Sequence, residues 1–206
     1  MKLILFLSKL FLDFLKNMWG SIQRPYETYR SLGKQDPYQL LIHVSLVAAY
    51  FFFISPIKLR TLHPLILTLN ASRLFTTALA TYLLVCFLFL ILAKLLKSEA
   101  NLRAVLLCWG YSLVPTLLWF FTTSIFYILL PPPRHETVPG RIFSIVFITF
   151  SLSLFFWKGI LYYLTLRHAL KLDLVKIIIV SAIFLPLLGV YSLWMYSLGI
   201  FRVPFV

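Results

Sequence analysis

Lys158 stands between Trp157 and Gly159, well inside an apolar stretch of the chain. A charge there is costly and is a functional candidate by default. Its four-carbon stem can also carry the amine along the apolar surface to nearby headgroups, and that snorkelling reading is the expectation. His43, Cys86 and Cys108 could in principle hold a proton or a metal, but neither C-x-x-C nor H-x-x-x-H spacing is present. They are expected to be a helix-packing histidine and two small apolar thiols, with no disulfide. All six carboxylates (Asp13, Glu27, Asp36, Glu99, Glu136, Asp173) lie in connections or in the N-terminal region. A proton-coupled pump places acids midway through its apolar part, and an acid–base enzyme working there needs the same groups. No G-x-S-x-G, P-loop or G-x-G-x-x-G occurs, and His168 near Asp173 reads as a plain connection. The expectation is a chain with no catalytic residue, no cofactor and no metal: not an enzyme.

The elements that would carry these residues are plain. The 206 residues are 61% hydrophobic and 12% charged, too greasy for a water-soluble core of that size. A hydrocarbon layer about 30 Å thick takes roughly 20 apolar residues per helical crossing. Five stretches qualify, at about 38–57, 73–93, 104–130, 142–166 and 174–200. Strand-like alternation is absent, which argues against a barrel, and helices satisfy their own backbone in lipid. The fold class is all-α, a polytopic helical bundle of five transmembrane helices. Residues 37–206 form the membrane domain, preceded by an N-terminal segment over 1–36.

The segment from Met1 to about Gln23 imitates a signal peptide, but Ser8 and Lys9 cut the apolar run short and no cleavage site follows. At helical spacing Lys2, Lys9, Asp13, Lys16 and Asn17 share one narrow strip, with apolar residues on the other faces. That is the pattern of an amphipathic interfacial helix lying in the membrane plane; a sixth span or an uncleaved anchor is the alternative. Pro25 then suits the first turn of a short helix, and Pro37 the start of the first span.

The net charge of +13 would suggest nucleic acid in a soluble protein. In this chain it fits membrane topology and attraction to anionic lipid, with no nucleic-acid partner. Twelve basic residues lie in the N-terminal region and the second and fourth connections, against six in the first and third connections and the C-terminal end. The N-terminus is expected in the cytoplasm and the tail 201–206 outside. The apolar connection Leu62–Leu69 is expected to rest among headgroups, and Asn70-Ala71-Ser72 to be a chance sequon. Pro131–Gly140 is expected to be a solvated loop stiffened by prolines.

Pro115 lies inside the third span, where it removes a helical hydrogen bond and bends the helix; Ser112 and Thr116 are near enough to compensate. A static bend is the expectation and a hinge the alternative. Pro186, followed by Gly189, repeats the theme in the fifth span.

Three pieces in order resemble the Yip domain family, five-span membrane proteins named for interaction with Ypt/Rab GTPases. They are Arg24-Pro25-Tyr26-Glu27-Thr28-Tyr29-Arg30, Gly110-Tyr111-Ser112-Leu113-Val114-Pro115, and the late stretch from Trp157-Lys158-Gly159 through Leu166-Arg167-His168-Ala169-Leu170-Lys171-Leu172. The long hydrophilic N-terminal region and Asp-Leu-Tyr-Gly-Pro motif of eukaryotic members are absent, so the chain is similar to short prokaryotic members. The resemblance implies a bacterial cytoplasmic (inner) membrane, and Rab-type GTPase binding is not carried over. The candidate functional or structural positions are Gly110, Tyr111, Ser112, Pro115, Lys158 and Pro186.

The function expected is that of a non-catalytic membrane protein that organises membrane, scaffolds protein partners or handles lipid. Its partners are then membrane lipids and other membrane proteins. A small-solute or lipid transporter or channel subunit is the alternative, motivated by the bent spans and by the hydroxyls of Thr76, Thr77, Thr81, Ser112, Thr116, Thr122, Thr123 and Ser124. Whether those hydroxyls converge on one water-filled path separates the two.

Overall fold

The computed structural model describes residues 2–59, 64–129 and 138–200, with side chains over 5–57, 68–129, 138 and 140–200. Among the described residues there are helices and turns and no strand. α1 (Lys2–Gln23) and α2 (Pro25–Leu32) form a hairpin closed by the Arg24 N–H donating to the Gly20 carbonyl at 2.8 Å. A Cβ on Gly20 would lie 2.5 Å from the Thr28 hydroxyl, so only glycine lets the two helices approach this closely. Pro25 occupies the first turn of α2.

Five helical stretches are long and apolar enough to cross a membrane: Pro37–Ile57, Thr68–Leu95, Leu102–Leu129, Gly140–His168 and Leu174–Ser197. The first opens with a 3-10 turn (Pro37–Gln39) capped by Asp36, whose carboxylate accepts the Tyr38 N–H at 3.2 Å. It continues through α3 (Leu40–Ala49), a π-helical turn (Tyr50–Ile54) and α4 (Ser55–Leu59). α5 (Pro64–Leu95) forms the second span, α6 (Leu102–Ser112) with α7 (Val114–Leu129) the third, α8 (Val138–His168) the fourth and α9 (Leu174–Ser197) the fifth.

The third span is the axis of the bundle. Buried residues make up 56% of its apolar window, against 6–28% for the other four. α8 packs along it, with the Thr165 hydroxyl donating to the Cys108 carbonyl at 3.3 Å and Trp119 Nε1 to Ser151 Oγ at 3.0 Å. The first span lies on another side, joined by the rings of His43 and Tyr111, 4.7 Å apart, and by the hydroxyls of Tyr50 and Ser124, 3.2 Å apart. α9 runs antiparallel to α5. Four contacts mark their register: Arg73 Nη2 to the Leu198 carbonyl (3.3 Å), Thr81 to Tyr191 (2.6 Å), Phe89 on Phe184 (4.7 Å) and Lys176 Nζ to the Leu96 carbonyl (3.1 Å).

The connections at one end are stapled together. Lys171 pairs with Glu99 at 3.5 Å, and Arg103 Nε donates to the Gln35 carbonyl at 2.8 Å. α5 and α8 both stop through a lysine with φ of 53°, Lys97 and Lys171, in the left-handed conformation that more often takes glycine. The Ser98 N–H to the Ala93 carbonyl (2.9 Å) and the Leu172 N–H to the Leu166 carbonyl (3.3 Å) close the two stops.

Three expectations change. The strip on α1 is not uniformly outward: Lys9 and Lys16 are exposed, but Asn17 is buried in a row with Leu10, Phe14 and Ser21. Residues 4, 3 and 4 apart stack on one helical face, so Asn17 at the strip's edge is carried into the protein with the apolar residues beside it. Leu5, Phe6, Leu7, Phe11, Leu12, Leu15 and Trp19 take the outward faces. The connection expected over Leu62–Leu69 is helical from Pro64, because a proline in the first turn extends α5 outward; the sequon Asn70-Ala71-Ser72 therefore sits inside a helix. α9 passes through the exposed Pro186 without a break, unlike the third span at Pro115. Most of the expected loop Pro131–Gly140 and the tail 201–206 lie outside the described residues; Val138 to Gly140 already belong to α8.

Candidate functional site

Pro115 cannot donate a backbone hydrogen bond, and the third span responds by breaking at Leu113 between α6 and α7. The Leu113 N–H turns back to the Gly110 carbonyl at 3.1 Å, a tighter turn that releases the Trp109 carbonyl from its usual partner. The Ser112 hydroxyl donates to that carbonyl at 2.7 Å. Ser112 thus serves a carbonyl two residues before that of Tyr111, the one Pro115 leaves without its helical partner, while Thr116 lines a cavity. Both limbs of the bend are fixed, since Trp109, Tyr111, Ser112, Val114 and Pro115 are all buried.

Gly110 and Tyr111 have separate tasks. A Cβ on Gly110 would lie 2.8 Å from Leu40 Cδ2, so glycine lets the first span press against the third. Tyr111 anchors the N-terminal segment. Its hydroxyl donates to Gln39 Oε1 at 2.6 Å, and Asn17 Nδ2 reaches the same oxygen at 2.9 Å. Gln35 Nε2 closes the circuit on Asn17 Oδ1 at 3.2 Å, and Gln39 Nε2 donates to Gln35 Oε1 at 3.0 Å. Three amide side chains and one phenol from α1, the turn after α2, the 3-10 turn and α6 satisfy one another, as buried polar groups must. Phe14 covers the cluster, with its ring 4.9 Å from His43 and 5.8 Å from Tyr111.

α2 is seated by Tyr29 and Leu32, both fully buried. Burial, against the smaller opposing influence of the Thr165 hydroxyl, raises the Tyr29 pKa well above its ordinary value, so the phenol stays neutral. Trp157 Nε1 donates to the Ser21 carbonyl at 3.2 Å, and Tyr26 meets His168 edge-on with ring centres 4.7 Å apart. The Asp173 carboxylate pairs at 3.3 Å with Arg167, not with its neighbour His168.

Between the first, second and third spans lies a cavity of about 460 Å³, within the range of sites that hold one small ligand. It extends along the first span from Leu40 and His43 to Ser55, roughly 22 Å at helical rise. Its wall is mostly apolar, built from side chains such as Val47, Leu74, Ala78, Val85, Leu113 and Phe120. Asn70 and Arg73 stand at the Ser55 end, where Arg73 also reaches the last turn of α9. Lys158 lines the same cavity. It is partly buried and makes no hydrogen bond or ion pair among the described residues, so an internal wall is part of its environment.

Two residues of this wall carry a buried polar atom with no hydrogen-bond partner: Trp109 at Nε1 and His43 at Nε2, each side chain 6% exposed. His43 Nδ1 faces the Gln39 carbonyl at 3.3 Å; a proton on Nδ1 makes that a hydrogen bond and leaves Nε2 as an acceptor. Cys86 and Cys108 are buried in α5 and α6, and no group of three metal-ligating side chains occurs among the described residues. Of the hydroxyls that could mark a water path, only Thr81 and Thr116 line the cavity. Thr76 and Thr77 bond back to the Arg73 carbonyl at 3.1 and 2.8 Å, Thr123 to that of Phe120 at 3.1 Å, and Ser124 meets Tyr50. Three of these four bond back within their own helix and only Ser124 bridges to another span, so they do not converge on one path.

A family model for the Yip1 domain matches residues 19–196, a stretch that opens in α1 and closes in α9. The chain belongs to the Yip1 domain family. No curated protein and no solved structure matches it. In this Yip1 chain the Gly110-to-Pro115 signature is the joint at which N-terminal hairpin, first span and third span meet. Gly110, Tyr111, Ser112 and Pro115 come together there, Lys158 joins through the cavity, and Pro186 stands apart on the outer face of α9. Sequence reasoning missed Asn17, Gln35, Gln39 and the unpartnered Trp109. The first three are amides of ordinary surface type, and only their meeting marks them.

Proposed function

We propose that this Yip1-domain chain is a non-catalytic membrane protein that handles lipid, taking one hydrocarbon chain into the cavity between its first three spans. The observation that carries this reading is the cavity itself: elongated, mostly apolar, and long enough to follow a lipid tail through much of a hydrocarbon layer. Burying a methylene is worth about 0.8 kcal/mol, so a long tail enclosed there is held firmly without any polar contact. Scatter of the hydroxyls, most of them bonded to carbonyls of their own helices and only Thr81 and Thr116 on the cavity wall, supports lipid handling over a path for a small hydrated solute. Scaffolding of membrane-protein partners is compatible with the same fold and has no comparable surface feature in its favour.

The setting that goes with this reading is a bacterial inner membrane, with the N-terminus cytoplasmic, the C-terminus outside and α1 lying in the interface. The test is retention of lipid through purification. Full-length protein purified in mild detergent is expected to carry one single-chain lipid per molecule by native mass spectrometry. Ala78→Phe, which fills the middle of the cavity, is expected to lose most of that lipid while keeping a sharp elution profile. Wild-type protein that neither retains nor rebinds any single-chain lipid removes the basis of the proposal.

A further inference from the structure

We propose that the cavity selects an anionic single-chain amphiphile, a long-chain fatty acid, whose carboxylate sits at Lys158 and Trp109 Nε1. This rests on the lipid-handling reading and adds to it the headgroup and the residues that read it.

Charge complementarity carries the inference. Lys158 lies about ten residues, roughly 15 Å of helix, from the His168 end of α8, inside the candidate span Gly140–His168. A cation at that depth is expensive unless paired or hydrated. Among the described residues no Asp or Glu lines the cavity, and Lys158 has no ion-pair or hydrogen-bond partner. Trp109 Nε1 adds a second, independent observation. It can only donate, its side chain is 6% exposed, and it lacks an acceptor. Two donors without partners, both on residues that line a cavity with no acid among its described residues, fit a ligand that brings acceptor oxygens and a negative charge. A charge-assisted contact of this kind is about twice as strong as a neutral one.

Arg73 is the rival cation, but it is exposed and already donates to the Leu198 carbonyl at 3.3 Å. Length points the same way as charge: the cavity follows the first span for roughly 22 Å, enough for one extended hydrocarbon chain.

The experiment titrates full-length delipidated protein in detergent with three probes that share an oleoyl-type tail: oleate, oleyl alcohol and oleoyl lysophosphatidate. Binding is read by native mass spectrometry for wild type, Lys158→Met and Trp109→Phe, with melting temperature as the control for folding. Oleate is expected to bind one to one and at least ten-fold more tightly than the alcohol. Lys158→Met is expected to erase that preference while leaving alcohol binding unchanged, and Trp109→Phe to weaken oleate alone by a smaller factor. Equal binding of oleate and alcohol, or oleate binding indifferent to Lys158→Met, overturns the headgroup assignment and leaves the lipid cavity standing. A Lys158-dependent preference for lysophosphatidate over oleate overturns the choice of a carboxylate. Failure of all three probes overturns both the assignment and the cavity reading beneath it. Should Lys158→Met be poorly folded, Lys158→Arg is expected to keep the preference, and its loss there sinks the inference.

Discussion

Gly110 has its consequence in a distance. A methyl at that position would come within 2.8 Å of Leu40 Cδ2, and the Tyr82 hydroxyl stands 3.5 Å away on the other side. Leu40 Cδ2 is a side-chain end and can give way, so Gly110→Ala is expected to cost about 1 kcal/mol, at the low end of overpacking. Gly110→Val should cost more, because a branched side chain also meets Tyr82. The origin of the cost is testable through its partner. Leu40→Ala in the Gly110→Ala background should restore part of the lost melting temperature in detergent, so the double variant is more stable than the two single effects predict. Strict additivity would mean that the glycine serves backbone freedom and not close packing. Tyr111 answers to a different term: Tyr111→Phe keeps the ring contacts with Phe14 and His43 but leaves the Gln39 and Asn17 amides short of a partner. Its expected cost is about 1–3 kcal/mol, that of unsatisfied buried polar groups, with loosening of α1 read as faster amide exchange over 10–21. Unchanged exchange there would show that Leu10 and Phe14 alone hold the helix.

At the scale of elements the third span decides the architecture through its break. The joint at Leu113 is held by the Leu113 N–H on Gly110, by the Ser112 hydroxyl on Trp109 and by burial of Val114 and Pro115. A joint held from so many sides is expected to be static. Pro115→Ala is therefore expected to express normally, shift the melting temperature only modestly and leave lipid retention intact. Normal stability combined with lost retention or lost complementation would instead make Leu113 a moving hinge. The bend was legible in the sequence because proline acts through one missing proton. The continuity of α9 through Pro186 was not, since the cost of a proline depends on what surrounds the freed carbonyl, and that is a tertiary fact. α1 teaches the same lesson. Its helical period is plain in residues 2–23, but periodicity cannot tell an apolar face that meets protein from one that meets lipid. Leu10 and Phe14 look no different in sequence from Leu12 and Leu15, yet the first pair is buried and the second exposed.

For the whole molecule, hydrophobic length alone made five crossings legible, and up-and-down connectivity follows from short connections. What length cannot convey is the gap left between packed helices: no single residue announces the cavity, because it is the space that Ala78, Leu113 and their neighbours fail to fill. Orientation rests on charge. The N-terminal segment and the second and fourth connections carry twelve basic residues against six on the alternate side. These same segments are drawn together at one end, by Arg103 on the Gln35 carbonyl, Lys171 on Glu99 and Lys176 on the Leu96 carbonyl. Basic residues near a membrane resist export, so this end should face the cytoplasm. Reporter fusions are expected to report Lys97 and Lys171 inside, and His135 and the C-terminus outside. Reversing the bias should be possible: neutralising Lys9, Lys16, Arg24, Arg30 and Lys34 together removes five charges from the cytoplasmic set, leaving a near balance that should yield mixed or inverted topology. A C-terminal reporter that reads cytoplasmic in the unaltered chain would mean that one of the five helices does not cross. α8 would be the first to re-examine, since its apolar window is the least buried of the five, at 6%.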